Sequence, residues 1–135
     1  MLFEVLVDQR ERWATVAVTG EMDLATAPQV RQAVIQAIAE GNRLTARGDD
    51  PGLEPGPRVL LDLSGVDFID SSGLGVVLGA VRRVRGTGGT IRLVVTEPQV
   101  RRAFELTGLD QVLSIAATVA EAMAPPGRPR GAGDG

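Results

Sequence analysis

Residues 58–86 read RVLLDLSGVDFIDSSGLGVVLGAVRRVRG, and within them one hydrophobic periodicity gives way to another. In the stretch from Arg58 to Leu63, the arginine is followed by an apolar run interrupted only by Asp62, which is typical of a central strand covered on both faces. From Ser71 to about Gly86 the apolar residues follow helical spacing, at Leu74, Val77, Leu78, Val81 and Val84. The sequence therefore predicts a buried strand that turns directly into a helix.

The segments before this stretch predict a hairpin, a helix and a loop. Phe3 to Val7 and Trp13 to Thr19 are short apolar runs separated by polar residues, which indicates a β-hairpin. A first helix is predicted from Thr26, with a proline in its first turn, to Gly41. Residues 42–57 hold three glycines and three prolines and predict a flexible loop insertion.

The segments that follow continue the alternation of strands and helices. Ile91 to Val95 predicts a strand, and Thr96 opens a helix that Gly108 stops. A last short strand is predicted over Val112 to Ile115 and a brief helix from Thr118. We expect one α/β domain over residues 1–124, with a mixed four- to five-stranded sheet and about four helices, and a disordered tail over residues 125–135.

Composition excludes several classes of function. The net charge is -3, only four residues are aromatic, and neither a basic surface nor stacking platforms for nucleic acid are expected. Cysteine, histidine and lysine are all absent, which removes thiolate metal sites, the commonest general base and lysine chemistry. The longest apolar run, Gly73 to Val81, is far shorter than the roughly 20 residues of a membrane-spanning helix. We expect a cytoplasmic protein without cofactor or metal.

The strand-to-helix turn is the part of the sequence that can carry chemistry. Asp70-Ser71-Ser72 lies where the positive end of the helix dipole favours added negative charge, so a serine here is a suitable phosphoacceptor. Gly73 and Gly75 remove side chains from the first turn, which would let another protein approach the hydroxyls. No capping-box residue follows, and accessible helix amides are expected. The alternative is that an aspartate or serine here is simply an N-cap.

Three segments carry a resemblance to a known family. Residues 70–79, DSSGLGVVLG, resemble the signature of the STAS family, specifically its anti-sigma factor antagonists. Residues 20–24, GEMDL, resemble the family's Gly-x-x-Asp segment after the second strand, and residues 100–109, VRRAFELTGL, resemble its third-helix segment. The resemblance runs from about Phe3 to Met123, excluding the loop over residues 42–57 and the tail, and implies a STAS domain.

The resemblance also implies a function and a site. Ser71 occupies the family's phosphorylated position, and the residues expected to line it are Asp23, Asp70, Ser72, Gly73 and Gly75. The expected partner interface comprises Asp23, Leu24, Thr26, Ser71, Ser72, Gly73 and Leu74. The implied partners are an anti-sigma factor with serine kinase activity, whose sigma factor is released on binding, and a PPM-type phosphatase that resets the switch. No catalysis is implied for the chain itself.

Other functions fit the residues less well. A serine hydrolase would need an activating base and a G-x-S-x-G elbow, and the chain has neither histidine, lysine nor that pattern. A nucleotide-binding loop is incomplete, because Leu78 stands where a third glycine would fall. Asp62, Asp67 and Asp70 are more typical of caps and turns than of a magnesium site. The remaining alternative is a STAS subunit that docks onto a membrane transporter or signalling scaffold without a kinase cycle.

Overall fold

A computed structural model describes residues 2–46 and 56–124 of the chain. Five strands form one sheet in the spatial order β1-β2-β3-β4-β5. Their bounds are Glu4–Arg10, Trp13–Met22, Arg58–Ile69, Thr90–Val94 and Ile115–Ala116. β1 is antiparallel to β2, and every other neighbouring pair is parallel. The α/β fold with a mixed sheet, predicted from the sequence, is therefore confirmed.

Among the described residues, three helices and one 3₁₀ turn connect the strands, and a fourth helix follows the last strand. The helices are α1 (Ala27–Ala46), α2 (Ser71–Gly86), α3 (Pro98–Leu106) and α4 (Val119–Ala122), and the 3₁₀ turn is Leu109–Gln111. Because β2, β3 and β4 are parallel, α1 and α2 must cross from the end of one strand back to the start of the next. Both helices therefore begin at the carboxyl edge of the sheet.

The sheet is covered on both faces by apolar side chains. On one face, the alternate β3 residues Val59, Leu61 and Leu63 pack in a cluster with the buried residues of α1, α2 and α3. On the other face, Leu60 belongs to a smaller cluster that contains Trp13 and Ala122, the latter from α4. The central strand is thus buried on both sides, as its continuous apolar run predicts.

Helix α1 is longer than the sequence predicts. It runs to Ala46, so the predicted end at Gly41 is wrong and the first five residues of the predicted loop, 42–46, are helical. A Cβ on Gly41 would lie 2.7 Å from the Cβ of Pro57, which precedes β3. The glycine therefore allows a close approach within the helix rather than ending it. Residues 47–55 of the predicted loop and the predicted tail, 125–135, lie outside the described residues.

Strand β3 is also longer than predicted. It continues from Leu63, the predicted end, to Ile69, and pairs with β2 as far as Met22. The pairing contains register shifts between Ala17 and Thr19 and between Gly20 and Glu21. These irregularities disturb the alternation of buried and exposed side chains, so residues 64–69 resemble a turn in the sequence.

The last elements agree with the prediction except at their ends. The final strand is Ile115–Ala116, shifted from the predicted Val112 to Ile115, because the 3₁₀ turn occupies the residues just before Val112. Thr118 begins α4 as predicted, and its side chain accepts a 3.0 Å hydrogen bond from the Glu121 amide. In the described part of the chain, no helix is both long and apolar enough to cross a membrane.

Candidate functional site

The candidate site is formed where β2 and β3 end side by side. Met22 and Ile69, the last residues of these strands, are paired in the sheet. The Asp70 amide then donates a 3.1 Å hydrogen bond to the Met22 carbonyl oxygen. Because parallel strands end at the same edge, this bond joins the end of β2 to the residue just before α2.

Asp70 caps helix α2. Its backbone is extended, with φ -110° and ψ -171°, and its Oδ1 accepts hydrogen bonds from the amides of Ser72 (2.8 Å) and Gly73 (3.0 Å). A carboxylate on these amides stabilises a helix by about 1 kcal/mol and is favoured by the helix dipole. The expectation of accessible first-turn amides is therefore wrong for these two groups, and the N-cap alternative is correct for Asp70.

The two serines differ in their accessibility. Ser71 is the first residue of α2 and is exposed, whereas Ser72 is half-buried. Within residues 2–46 and 56–124, nothing forms a hydrogen bond with the Ser71 hydroxyl. Ser71 thus presents a free hydroxyl to solvent from a rigid position, while the Asp70 carboxylate beside it is engaged.

Gly73 and Gly75 have different structural roles. A Cβ on Gly73 would lie 2.6 Å from the Met22 carbonyl oxygen and 2.7 Å from Ile69 Cγ1, so glycine is required for α2 to pack against the ends of both strands. A Cβ on Gly75 would meet no atom within 4 Å. Gly73 therefore serves packing and not access to the serines. Only Gly75 leaves open space beside the helix.

Asp23 is held within its own loop. Its Oδ1 accepts hydrogen bonds from the amides of Ala25 (3.0 Å) and Thr26 (3.1 Å). The Thr26 hydroxyl accepts a 3.0 Å bond from the Asp23 amide and donates a 2.8 Å bond to the Glu21 carbonyl oxygen. Asp23 and Thr26 therefore lie at the same edge as Ser71, as predicted, with their polar groups engaged in starting α1.

Apolar side chains project from the same edge. Leu24 is 76% exposed, and Phe68, near the end of β3, is 45% exposed. Leu74 is half-buried and packs against the core. The sequence did not identify Phe68, because its neighbours Val66 and Ile69 are buried three positions apart and break the two-residue period of a strand. The signal available in the sequence was an aromatic residue directly after Asp67, in a segment without a regular strand period.

Several carboxylates adjoin Ser71 along the chain or lie on the neighbouring strand end and loop. Asp67 and Asp70 precede it on the chain, and Glu21 and Asp23 lie on the neighbouring strand end and loop. No group of three or more acidic side chains in the described ranges is arranged to hold a metal ion. The arrangement offers an exposed hydroxyl and two engaged carboxylates, which suits a group modified by another protein's active site better than a nucleophile that needs its own base.

Comparisons with known proteins bear on the family and the fold of the chain. The family model described as the STAS domain matches residues 4–122. The anti-sigma-B factor antagonist of Bacillus subtilis is 30% identical over 117 residues, which are 87% of this chain and 94% of that protein. The crystal structure of an anti-sigma factor antagonist from Mycobacterium paratuberculosis is similar with a TM-score of 0.73 and 28% identity, covering 90% of this chain and 92% of that one.

A further similar structure is described as the Bacillus cell fate determinant SpoIIAA in the phosphorylated form. It has a TM-score of 0.58 and 25% identity, covering 90% of this chain and 96% of that one. The family match spans most of the chain, and relatives that share the name anti-sigma factor antagonist match it in sequence and in fold. The chain therefore belongs to the STAS domain family, among the anti-sigma factor antagonists.

Proposed function

We propose that this protein binds an anti-sigma factor through the carboxyl edge of its sheet and is switched off by phosphorylation at Ser71. In this scheme the anti-sigma factor is itself a serine kinase, binding releases its sigma factor, and a PPM-type phosphatase restores the unmodified form. The names of the relatives support the anti-sigma factor as partner. The SpoIIAA structure, described as a phosphorylated form, supports the modification of a STAS protein of this type.

The free hydroxyl of Ser71 is the observation that carries the proposal. It is exposed, bonds to no described residue and begins a helix whose position is fixed by Asp70 and Gly73. Ser72 is half-buried one position later, which makes it a poorer substrate. A kinase must align the acceptor hydroxyl with a phosphoryl group, so a rigid and uncovered serine is favoured.

A phosphate on Ser71 would alter the surface more than the fold. It adds about -1.5 to -2 charges near neutral pH, beside the carboxylates of Asp70 and Asp23. The dipole of α2 attracts this charge, but Asp70 already occupies the amides of Ser72 and Gly73. The attraction and the repulsion oppose each other, so we expect the free energy of unfolding to change by less than about 1 kcal/mol. The affinity for a partner packed against Ser71 should fall much further, because that interface cannot desolvate the phosphate.

The proposed partner surface consists of Asp23, Leu24, Thr26 and residues 71–74. Within it, the exposed Leu24 supplies apolar area, whereas Asp23, Thr26, Gly73 and Leu74 hold the shape of the surface through hydrogen bonds or packing. We add Phe68, whose exposed ring lies at the same edge. Interfaces of this kind depend on a few apolar anchors surrounded by polar groups.

The proposal is tested by incubating the full chain with ATP and each anti-sigma kinase encoded in the source genome. Intact mass and peptide mapping report whether a single phosphate is added and where. We expect one phosphate on Ser71, none on the Ser71→Ala variant, and normal modification of Ser72→Ala as the matched control. Binding of the kinase should be strong before the reaction and weak after it.

Two results would count against the proposal. Modification that persists in Ser71→Ala but disappears in Ser72→Ala would show that the phosphorylated residue is Ser72 and not Ser71. If no kinase binds or modifies the chain, a subunit that docks onto a transporter or scaffold becomes the better description. A circular dichroism spectrum of each variant separates these results from a loss of folding.

A further inference from the structure

Strand β1 leaves a long hydrogen-bonding edge without a strand partner. It spans Glu4–Arg10 and lies at the end of the sheet, paired with β2 on one side only. In the two described ranges, no other strand pairs with its outer edge. Exposed edges of this length are usually covered or interrupted, because they can pair with another chain.

The direction of the free backbone groups follows from the antiparallel pairing. Along such a strand, successive residues bond alternately to the neighbouring strand and away from it. The Gln9 amide donates a 2.7 Å hydrogen bond to the exposed Oδ1 of Asp8, which indicates that it points away from β2. The alternation therefore directs the N–H and C=O groups of Val5, Val7 and Gln9 towards the open edge.

We propose that two copies of this chain associate through β1, with the two strands antiparallel and centred on Val7. Their sheets would then join into one sheet of ten strands. In this register Val7 faces Val7 of the second copy and Val5 faces Gln9, so the outward groups of both strands meet as hydrogen-bonded pairs. The two contacts are identical by symmetry, as in most small homodimers.

The charges on β1 favour this register over its neighbours. Centring on Val7 places Glu4 opposite Arg10 of the second copy, twice in each dimer. Centring on Leu6 would instead place Glu4 opposite Asp8, and centring on Asp8 would place two Asp8 carboxylates together. Opposite charges directly across an antiparallel pair stabilise it, and like charges destabilise it. Only the register centred on Val7 brings unlike charges together at both ends.

Apolar area at the edge would also become covered. Leu6 is 55% exposed, and Val5 and Val7 are half-buried beside the main core. Pairing would place Val7 of each copy against the other and extend that core across the junction. The Gln9 amide would exchange its bond to Asp8 for a carbonyl of the second copy. The bond to Asp8 protects the edge of the single chain, and its replacement limits the strength of the dimer.

The dimer would leave the candidate site open. Ser71 follows β3, and β2 lies between β3 and β1, whose outer edge forms the contact. Two Ser71 sites would then be available on one particle. This inference does not rest on the proposed phosphorylation, and the failure of either leaves the other standing.

Sedimentation velocity on the full chain, over a wide concentration range, provides the first test. We expect reversible conversion from 14.2 kDa to twice that mass. Glu4→Arg should weaken the dimer about ten-fold or more, and the double variant Glu4→Arg/Arg10→Glu should restore it. Glu105→Arg, the same charge change at an exposed position on α3, serves as the matched control and should have no effect.

The register is tested with single cysteines, because the chain contains none. Val7→Cys should form a disulfide between copies on mild oxidation, since paired residues lie about 5.5 Å apart, within the range a disulfide spans. Leu6→Cys and Asp8→Cys should not, because neither residue faces itself in this register. A chain that stays monomeric at every concentration, a dimer unaffected by Glu4→Arg, or a disulfide through position 6 or 8 instead of 7 would each overturn the proposal.

Discussion

The Asp70 amide donates a 3.1 Å hydrogen bond to the carbonyl oxygen of Met22, and this bond fixes the start of α2 to the end of β2. Gly73 lies against the same carbonyl oxygen. The first turn of α2 therefore approaches the end of β2 at two backbone positions, Asp70 and Gly73. The residue after Met22 is Asp23, whose carboxylate begins the turn into α1. The loop that carries Asp23 and the helix start that carries Ser71 are therefore held together by backbone contacts and do not depend on a direct bond between the two side chains.

Alanine at Gly73 and at Gly75 should change stability in opposite directions. Gly73→Ala places a Cβ within 2.7 Å of two other groups, and we expect the free energy of unfolding to fall by about 1 to 3 kcal/mol. Gly75→Ala meets no atom and improves helix propensity, so the free energy of unfolding should rise by about 0.5 to 1 kcal/mol. Urea denaturation of both variants measures the difference. Equal effects of the two substitutions would contradict the packing role of Gly73.

The main fold was predictable from the sequence because its strands and helices have clear periodicities. The helix over Ser71–Gly86 was predicted with its observed bounds, since its apolar stripe is regular. The ends of α1 and β3 were not predicted, for a different reason in each case. Gly41 is required by Pro57, a contact between residues far apart in sequence, and β3 continues through an irregular register that only its pairing with β2 reveals.

The candidate site was predicted in position but not in detail. The sequence placed Asp23, Asp70 and Ser71 together through the family resemblance. It offered an N-cap role for Asp70 only as an alternative, because the missing capping box favoured accessible amides in the first turn of α2. Phe68 was missed because its exposure depends on the irregular end of β3. The exposure of Phe68 arises from strand pairing, on which local sequence patterns carry little information, whereas the two bonds that Asp70 accepts join residues two and three positions apart and follow a local pattern.

Replacing Asp70 should separate its capping role from its charge. Asp70→Ala removes the acceptor for two amides, and we expect the free energy of unfolding to fall by about 0.5 to 2 kcal/mol. Asp70→Asn keeps an acceptor oxygen and should lose only the charge–dipole attraction, about 0.3 to 1 kcal/mol. Thermal and urea denaturation of both variants provide the measurement. If Asp70→Asn is as unstable as Asp70→Ala, the negative charge and not the hydrogen bonds stabilises the start of α2.

Phe68→Ala should weaken binding of the anti-sigma factor while leaving the fold largely intact. The ring is 45% exposed, so we expect the free energy of unfolding to fall by no more than about 1 kcal/mol. Loss of an aromatic anchor should raise the dissociation constant by roughly ten-fold or more. Isothermal titration calorimetry with the partner measures this change.

The matched control for Phe68 is Leu106→Ala. Leu106 is 73% exposed at the far end of α3, remote from the edge that carries Ser71. It should have no effect on binding, although it also removes an exposed apolar side chain. Equal losses in the two variants would indicate a general effect of surface hydrophobicity and not an interface at the carboxyl edge.

Substitution by valine should have opposite effects on stability at Thr15, whose hydroxyl is buried without a partner in the described residues, and at Thr26, whose hydroxyl forms hydrogen bonds. Thr15 is 3% exposed, and its hydroxyl has no hydrogen-bond partner among the described residues. Thr15→Val keeps the shape and removes the buried polar group, so the free energy of unfolding should rise by about 1 kcal/mol. Thr26→Val loses the bonds to the Glu21 carbonyl and the Asp23 amide. The free energy of unfolding should therefore fall by about 1 to 2 kcal/mol. Urea denaturation at one temperature compares both variants with the parent chain, and a loss of stability in Thr15→Val would mean that its hydroxyl is satisfied in solution.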